Sequence, residues 1–231
     1  MHLAVVDPGW SLQAWRERAR AAFTAGVAPE HLQWDSDAQL GLALASPLPE
    51  VSEAGSAVTV PAALLELAGA VVCHRDPGRH ALLYRLLWRV AQGERRLLER
   101  ATDPDVVTAT ALGGAVRRDS HKMKAFVRFR VLQPHNEGAA AEPVYVAWFE
   151  PAHPVVALTA PFFVRRFPGM RWSILTPDRC AHWDRTQLHL TPGTGRSEAP
   201  DGDALESLWR AYYANTFNPA RLRVRMMQSE M

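Results

Sequence analysis

Lysine is nearly absent from this chain: 24 of its 26 basic residues are arginine, and the two lysines stand two positions apart at Lys122 and Lys124. Arginine favours bidentate phosphate contacts and stacking over simple point charge, although a GC-rich genome produces the same bias. Cysteine is as scarce. Cys73 and Cys180 cannot build a disulfide framework or a four-cysteine iron–sulfur cluster, and a pair of thiols suits a reducing cytosol. No apolar run approaches the roughly 20 residues a membrane helix needs. The start, Met1 to Pro8, lacks the basic and long apolar segments of a signal peptide. The expectation is a cytoplasmic protein with no membrane partner. Catalytic signatures are missing too: there is no GxGxxG, GxxxxGK[ST], GxSxG or HExxH, so no cofactor is expected.

What is present is charge of one sign in one place. Arg117 to Arg130 holds six Lys/Arg and one Asp, in a chain whose formal net charge is only +2. Residues 1–111 carry ten Lys/Arg against thirteen Asp/Glu, and residues 112–231 sixteen against eleven. The first half of the basic stretch is helical in pattern. Leu112, Val116, Ser120 and Met123 share one face, and Arg117, His121 and Lys124 the adjacent one. The second half changes to period two, with Ala125, Val127, Phe129 and Val131 opposite Phe126, Arg128, Arg130 and Leu132. A helix running into a strand would set cations beside a row of Phe and Arg, a surface for a phosphate backbone and stacked bases. The plain alternative is a solvated helix face followed by a strand whose Arg stems cover apolar surface.

Around this stretch the pattern predicts an α+β fold. Strands are expected at Leu3–Val6, His31–Trp34 and Ala57–Val60. Helices are expected at Leu12–Ala25 (capped by Ser11, stopped by Gly26), Pro61–Cys73, His80–Gln92, and from Pro104 into the basic stretch. Gly113-Gly114 inside that last helix costs about 1 kcal/mol per Gly relative to Ala, so close packing or a kink is expected. A mostly antiparallel meander over about residues 125–191 follows: Ala125–Gln133, the polar turn Pro134–Pro143, then Val144–Phe149. A helix over Val155–Phe167 comes next, and strands at Trp172–Thr176, Ala181–Asp184 and Gln187–Thr191. Two further helices are expected over Ala204–Thr216 and Ala220–Met231. The chain reads as a single domain, 1–231, with a helical N-terminal half (1–124) and a sheet-containing C-terminal half (125–231).

Three groups could carry chemistry. Cys180-x-His182 with His189 is a weak metal set, lacking a carboxylate at helical spacing. Asp178, His182 and Asp184 lie near a strand turn and could do acid/base work, as could His121 beside its lysines. The stronger constellation is Phe162 to Trp172, which sets Arg165, Arg166 and Arg171 among four aromatics at a helix-to-strand turn. These arginines would extend the surface formed by Arg117, Arg118, His121, Lys122, Lys124, Arg128 and Arg130.

Several strings together resemble a known family: Cys73–Pro77, Ala81–Arg89, His121–Arg130, Trp148–Pro151, Pro161–Asp178, and Leu208–Arg210 through Phe217–Arg221. They are similar to the bacterial domain of unknown function that occurs alone or fused ahead of a UdgX-type uracil-DNA glycosylase. The form that occurs alone is associated with a radical-SAM protein of DNA repair. The resemblance implies DNA metabolism, with a glycosylase domain expected after residue 231 in the fused form. It supplies no catalytic residues to carry over. Three functions are compatible with these readings: a DNA-binding accessory domain that does not read sequence, an enzyme on damaged DNA or nucleotides, and a docking module for a repair partner.

Overall fold

A computed structural model describes residues 1–35, 46–48, 60–132 and 143–196. The expected strand residues 57–59, nearly all of the 134–143 turn and both C-terminal helices lie outside the described residues. The chain divides into two compact units, Met1–Arg118 and Asp119–Met231.

The first unit opens with β1 (His2–Val5), whose Leu3 and Ala4 are buried. Ser11 then caps α1 (Leu12–Thr24), its hydroxyl accepting the Ala14 N–H at 3.1 Å, and Gly26 ends it at φ +67°. β2 (Leu32–Asp35) and β3 (Ser46–Pro47) pair with β1 on either side, both parallel, giving the order β2-β1-β3. Strands were expected at Leu3–Val6 and His31–Trp34, close to β1 and β2, but not their parallel pairing, nor β3 in a segment that reads as a loop. The strands are distant in sequence, and no local turn signals the pairing.

Pro61 precedes α2 (Ala62–Val71), which buries Leu64, Ala68 and Val71, and Gly93 stops α3 (Arg79–Ala91) at φ +112°. The core of the unit is a run of rings. Trp34 stacks on Trp15 at 6.3 Å and tilts against Tyr84 at 5.5 Å, and Tyr84 leads through Trp88 to Phe23. The Tyr84 hydroxyl donates to the Val27 carbonyl at 2.7 Å, satisfying the polar tip of a fully buried ring.

Helix α4 (Pro104–Phe126) begins where the Asp103 carboxylate accepts the N–H groups of Asp105 and Val106, and it continues across the division at Arg118. Gly113 has a packing reason: a Cβ there would meet Leu67 of α2 at 3.1 Å and Val71 at 3.5 Å.

The second unit is built on a five-stranded sheet in chain order, β4 (Arg130–Leu132), β5 (Val144–Trp148), β6 (Arg171–Leu175), β7 (Arg179–Trp183) and β8 (Leu188–Pro192). Three of its four pairings are antiparallel. The β5–β6 pair is parallel because α5 (Val156–Arg166) carries the chain back between them, so the sheet is mixed. Arg130 opposes Val146, the pairing expected of the predicted hairpin. The strand expected over Ala125–Gln133 is shorter than its pattern. α4 runs on through Phe126, and pairing starts only at Arg130. Helix α5 contacts β7 and β8, and one sheet face clusters Val146, Leu175 and Cys180.

Candidate nucleic-acid interface

Two helix ends and the strand between them position the predicted basic residues of the second unit. In α4 the inward face is as expected: Ser120 and Met123 are buried, while His121, Lys122 and Lys124 are exposed. Asp119, the one acid of the stretch, is buried, and its carboxylate accepts the His153 backbone N–H at 2.8 Å. The Arg128 guanidinium donates to the carbonyls of Ala125 at 2.7 Å and Val127 at 3.0 Å. That arrangement satisfies orphan carbonyls at the helix C-terminus and sets a cation against its negative end. Arg130 follows on β4, exposed.

The second group lies in the last turn of α5. Arg165 and Arg166 are exposed there, again where cations complement the helix end, and Arg171 is half-buried at the start of β6. An aromatic cluster joins the two helix ends. Phe129 stands 6.0 Å from Phe163, 5.7 Å from Phe167 and 6.0 Å from Trp172, and Phe162 meets Phe163 edge-on at 5.3 Å. The Lys124 ammonium lies over the Phe162 ring at 5.4 Å and the Arg166 guanidinium over Phe167 at 5.2 Å. So α4 and α5 bring Lys124 and Arg166 onto one cluster, with Arg165 beside Arg166 in the last turn of α5. Arg130 is in register with Val146 on the other face of the sheet. The cluster's Phe163 and Trp172 are core, and Phe129 is half-buried among them. Phe126 is different: its side chain is 65% exposed.

Arg117 and Arg118 fall on the first unit's side of the division, both exposed. Each lies back along α4, Nη1 of Arg117 passing within 3.4 Å of where a Gly113 Cβ would stand and Nη1 of Arg118 within 3.3 Å of one at Gly114.

Ion pairing separates these cations from Arg85, Arg89, Arg96 and Arg100. Arg89 grips Asp103 (2.7 Å) and Glu94 (3.1 Å), Arg85 pairs with Asp105 at 2.8 Å, and Arg100 with Glu94 at 2.6 Å. Arg89 holds the Asp103 carboxyl down to about 2. His121, Lys122, Lys124, Arg128, Arg130, Arg165 and Arg166 form no ion pair among the described residues, and Asp119, the acid nearest in sequence to the first five, faces inward.

The candidates for chemistry take structural places. His182 is fully buried, opposite Ser173 on β6 and His189 on β8. Its Nδ1 meets the Ser173 hydroxyl at 2.8 Å and its Nε2 the Thr191 hydroxyl at 3.0 Å. Burial, aided by the neighbouring His189, pushes its pKa down to about 3, so the ring is neutral. With both ring nitrogens engaged, His182 offers no ligand or base to an incoming molecule. Asp184 accepts from the Thr186 and Gln187 N–H groups at 2.7 Å and from the His189 ring, closing the β7–β8 turn. No three of His, Cys, Asp and Glu come together as a metal would require among the described residues.

Sequence reasoning also passed over Arg79. It is buried, donating to the carbonyls of Val72, Asp76 and Gly9 at 2.9 to 3.0 Å, while His80 Nε2 meets the Gly9 carbonyl at 2.8 Å. Asp76-Pro77-Gly78 signalled a turn but not a buried cation tying it to the loop after β1. Among the described residues no helix is long and apolar enough to cross a membrane.

Comparison with curated proteins and with solved structures gives no match. The model of a domain of unknown function, DUF4130, matches residues 77–231, from the turn before α3 through the whole second unit, and the chain belongs to that family.

Proposed function

We propose that this chain is a DNA-binding accessory domain of DNA repair that holds the phosphate backbone without reading sequence. The observation that carries it is the absence of ion pairs, among the described residues, at Lys122, Lys124, Arg130, Arg165 and Arg166 of the second unit, two of which, Lys124 and Arg166, lie on one aromatic cluster. Exposed cations without carboxylate neighbours keep their full attraction for a polyanion and release its counterions on contact. In this reading the domain raises the local concentration of DNA for a repair enzyme. The resemblance suggests a UdgX-type uracil-DNA glycosylase in cis, or a radical-SAM repair protein in trans. No reaction is assigned to the chain itself.

Fluorescence anisotropy with labelled oligonucleotides across a salt series tests this. About five phosphate contacts would make affinity fall nearly as the fifth power of salt on duplex DNA. Reversing Lys122, Lys124 and Arg130 to Glu should abolish binding at moderate salt and flatten the slope by two to three contacts, roughly. Arg128 is left out of that variant because it caps α4. Undiminished affinity in the variant would refute the reading.

A further inference from the structure

We propose that the basic end of α4 takes single-stranded DNA, with Phe126 as the platform on which a base stacks and Lys122, Lys124 and Arg130 on the phosphates around it. This rests on the DNA-binding reading above and adds the strand type that the surface prefers.

Phe126 is the aromatic left over from the cluster. Its neighbours Phe129, Phe163 and Trp172 bury themselves against one another, whereas Phe126 keeps 65% of its surface in water and Val131 on the edge strand β4 keeps 50%. One exposed Phe is unremarkable on a protein surface. This one has unpaired cations before and after it along the chain. Lys122 lies one helical turn before it on the same face, and helical side chains lean toward the N-terminus, so the ring covers the turn that carries Lys122. Past the ring, Arg128 folds back to within 2.7 Å of the Ala125 carbonyl, which holds its guanidinium beside the turn that bears Phe126. Arg130 follows on β4.

A duplex presents two rails of phosphate and hides its base faces, so an exposed Phe on a flat basic surface meets sugar and phosphate and gains little. A single strand offers a base face every few ångströms between its phosphates. Stacking of one base on one aromatic side chain tolerates any sequence and changes affinity by roughly 5- to 150-fold on truncation to Ala. An exposed aromatic ring with unpaired cations before and after it along the chain is the complement of that strand. A protein partner would need most of those charges neutralised on docking.

The test uses the full chain and three labelled probes of equal length: an oligothymidylate of about 15 nucleotides, the same sugar–phosphate strand without bases, and a duplex. Wild type should bind the oligothymidylate more tightly than the base-free strand. Phe126→Ala should lose roughly 5- to 150-fold on the oligothymidylate and leave the other two unchanged, and Phe126→Tyr should keep wild-type affinity. The stacking assignment is overturned if Phe126→Ala binds the oligothymidylate as wild type does, or loses equally on all three probes. The triple Glu variant keeps the two readings apart. If it loses binding while Phe126→Ala does not, only the stacking role falls; if it too binds normally, the DNA-binding reading falls with it.

Discussion

The His182 ring, fully buried at the inner part of β7, sits between two hydroxyls, and its proton affinity is a quantity the whole fold feels. An unfolded chain protonates this ring below about pH 6.5, whereas the folded chain resists until about 3. Between those values the unfolded state binds more protons, so stability is complete above about 6.5 and drains as pH falls, by about 1.4 kcal/mol per pH unit for one such ring. His80, held down to about 4 by burial and the adjacent Arg79, acts in the same direction. The urea midpoint should therefore drop between about pH 7 and about pH 5, and His182→Gln should be less stable at neutral pH but show a shallower drop. An unchanged slope would mean the ring is not held neutral. In the sequence, His182 stood with Cys180 and Asp184 as a site for chemistry, because spacing shows which residues are near one another and not which hydroxyls lie across the strands. Ser173 and Thr191 come from β6 and β8, nine residues away on either side.

At the scale of elements, α4 shows where local pattern succeeds and where it stops. Its start at Asp103-Pro104 and its buried face through Val116, Ser120 and Met123 were legible, since both follow from capping chemistry and a 3.6-residue period. Its end was not. Val127 and Phe129 do turn inward, as the alternation implied, but a strand also needs a partner, and β5 reaches only Arg130 to Leu132. Without a ladder the helix persists, the Val127 N–H still bonding to the Met123 carbonyl at 3.1 Å. The parallel β5–β6 pair was readable in principle from the strand–helix–strand order around α5. The glycines at 113 and 114 separate in consequence. Gly114→Ala meets only the movable end of Arg118 and should stabilise the helix by up to about 1 kcal/mol. Gly113→Ala would press Leu67 at 3.1 Å, so packing strain should offset that gain, and Gly113→Val should lower the thermal midpoint by several degrees. Thermal melts of the three variants decide it.

For the whole molecule, a net charge of +2 conceals a partition. Arg85, Arg89, Arg96 and Arg100 are held in carboxylates, while Lys122, Lys124, Arg130, Arg165 and Arg166 form no ion pair among the described residues. If position rather than total charge governs DNA binding, changing Arg16, Arg20 and Arg95 to Glu alters the charge as much as the Lys122, Lys124 and Arg130 triple does. That change should leave the affinity within about threefold of wild type in moderate salt, where an exposed charge acts on a bound strand only at short range. Equal losses from both triples would point to a diffuse field. The basic segment was visible in the sequence because charge density needs no fold to be counted. The meeting of Lys124 and Arg166 on one aromatic cluster was not, because it depends on α5 lying beside the end of α4.

The two lysines of the chain have a consequence outside binding. Both stand exposed within three residues of one helix, so the side-chain amines available for acylation are confined to that turn. Acetylation would remove charge from this segment and from nowhere else among the side chains, since arginine does not react. Apart from the α-amine, an amine-directed reagent thus labels one surface, and an acetyltransferase would have a dial on it.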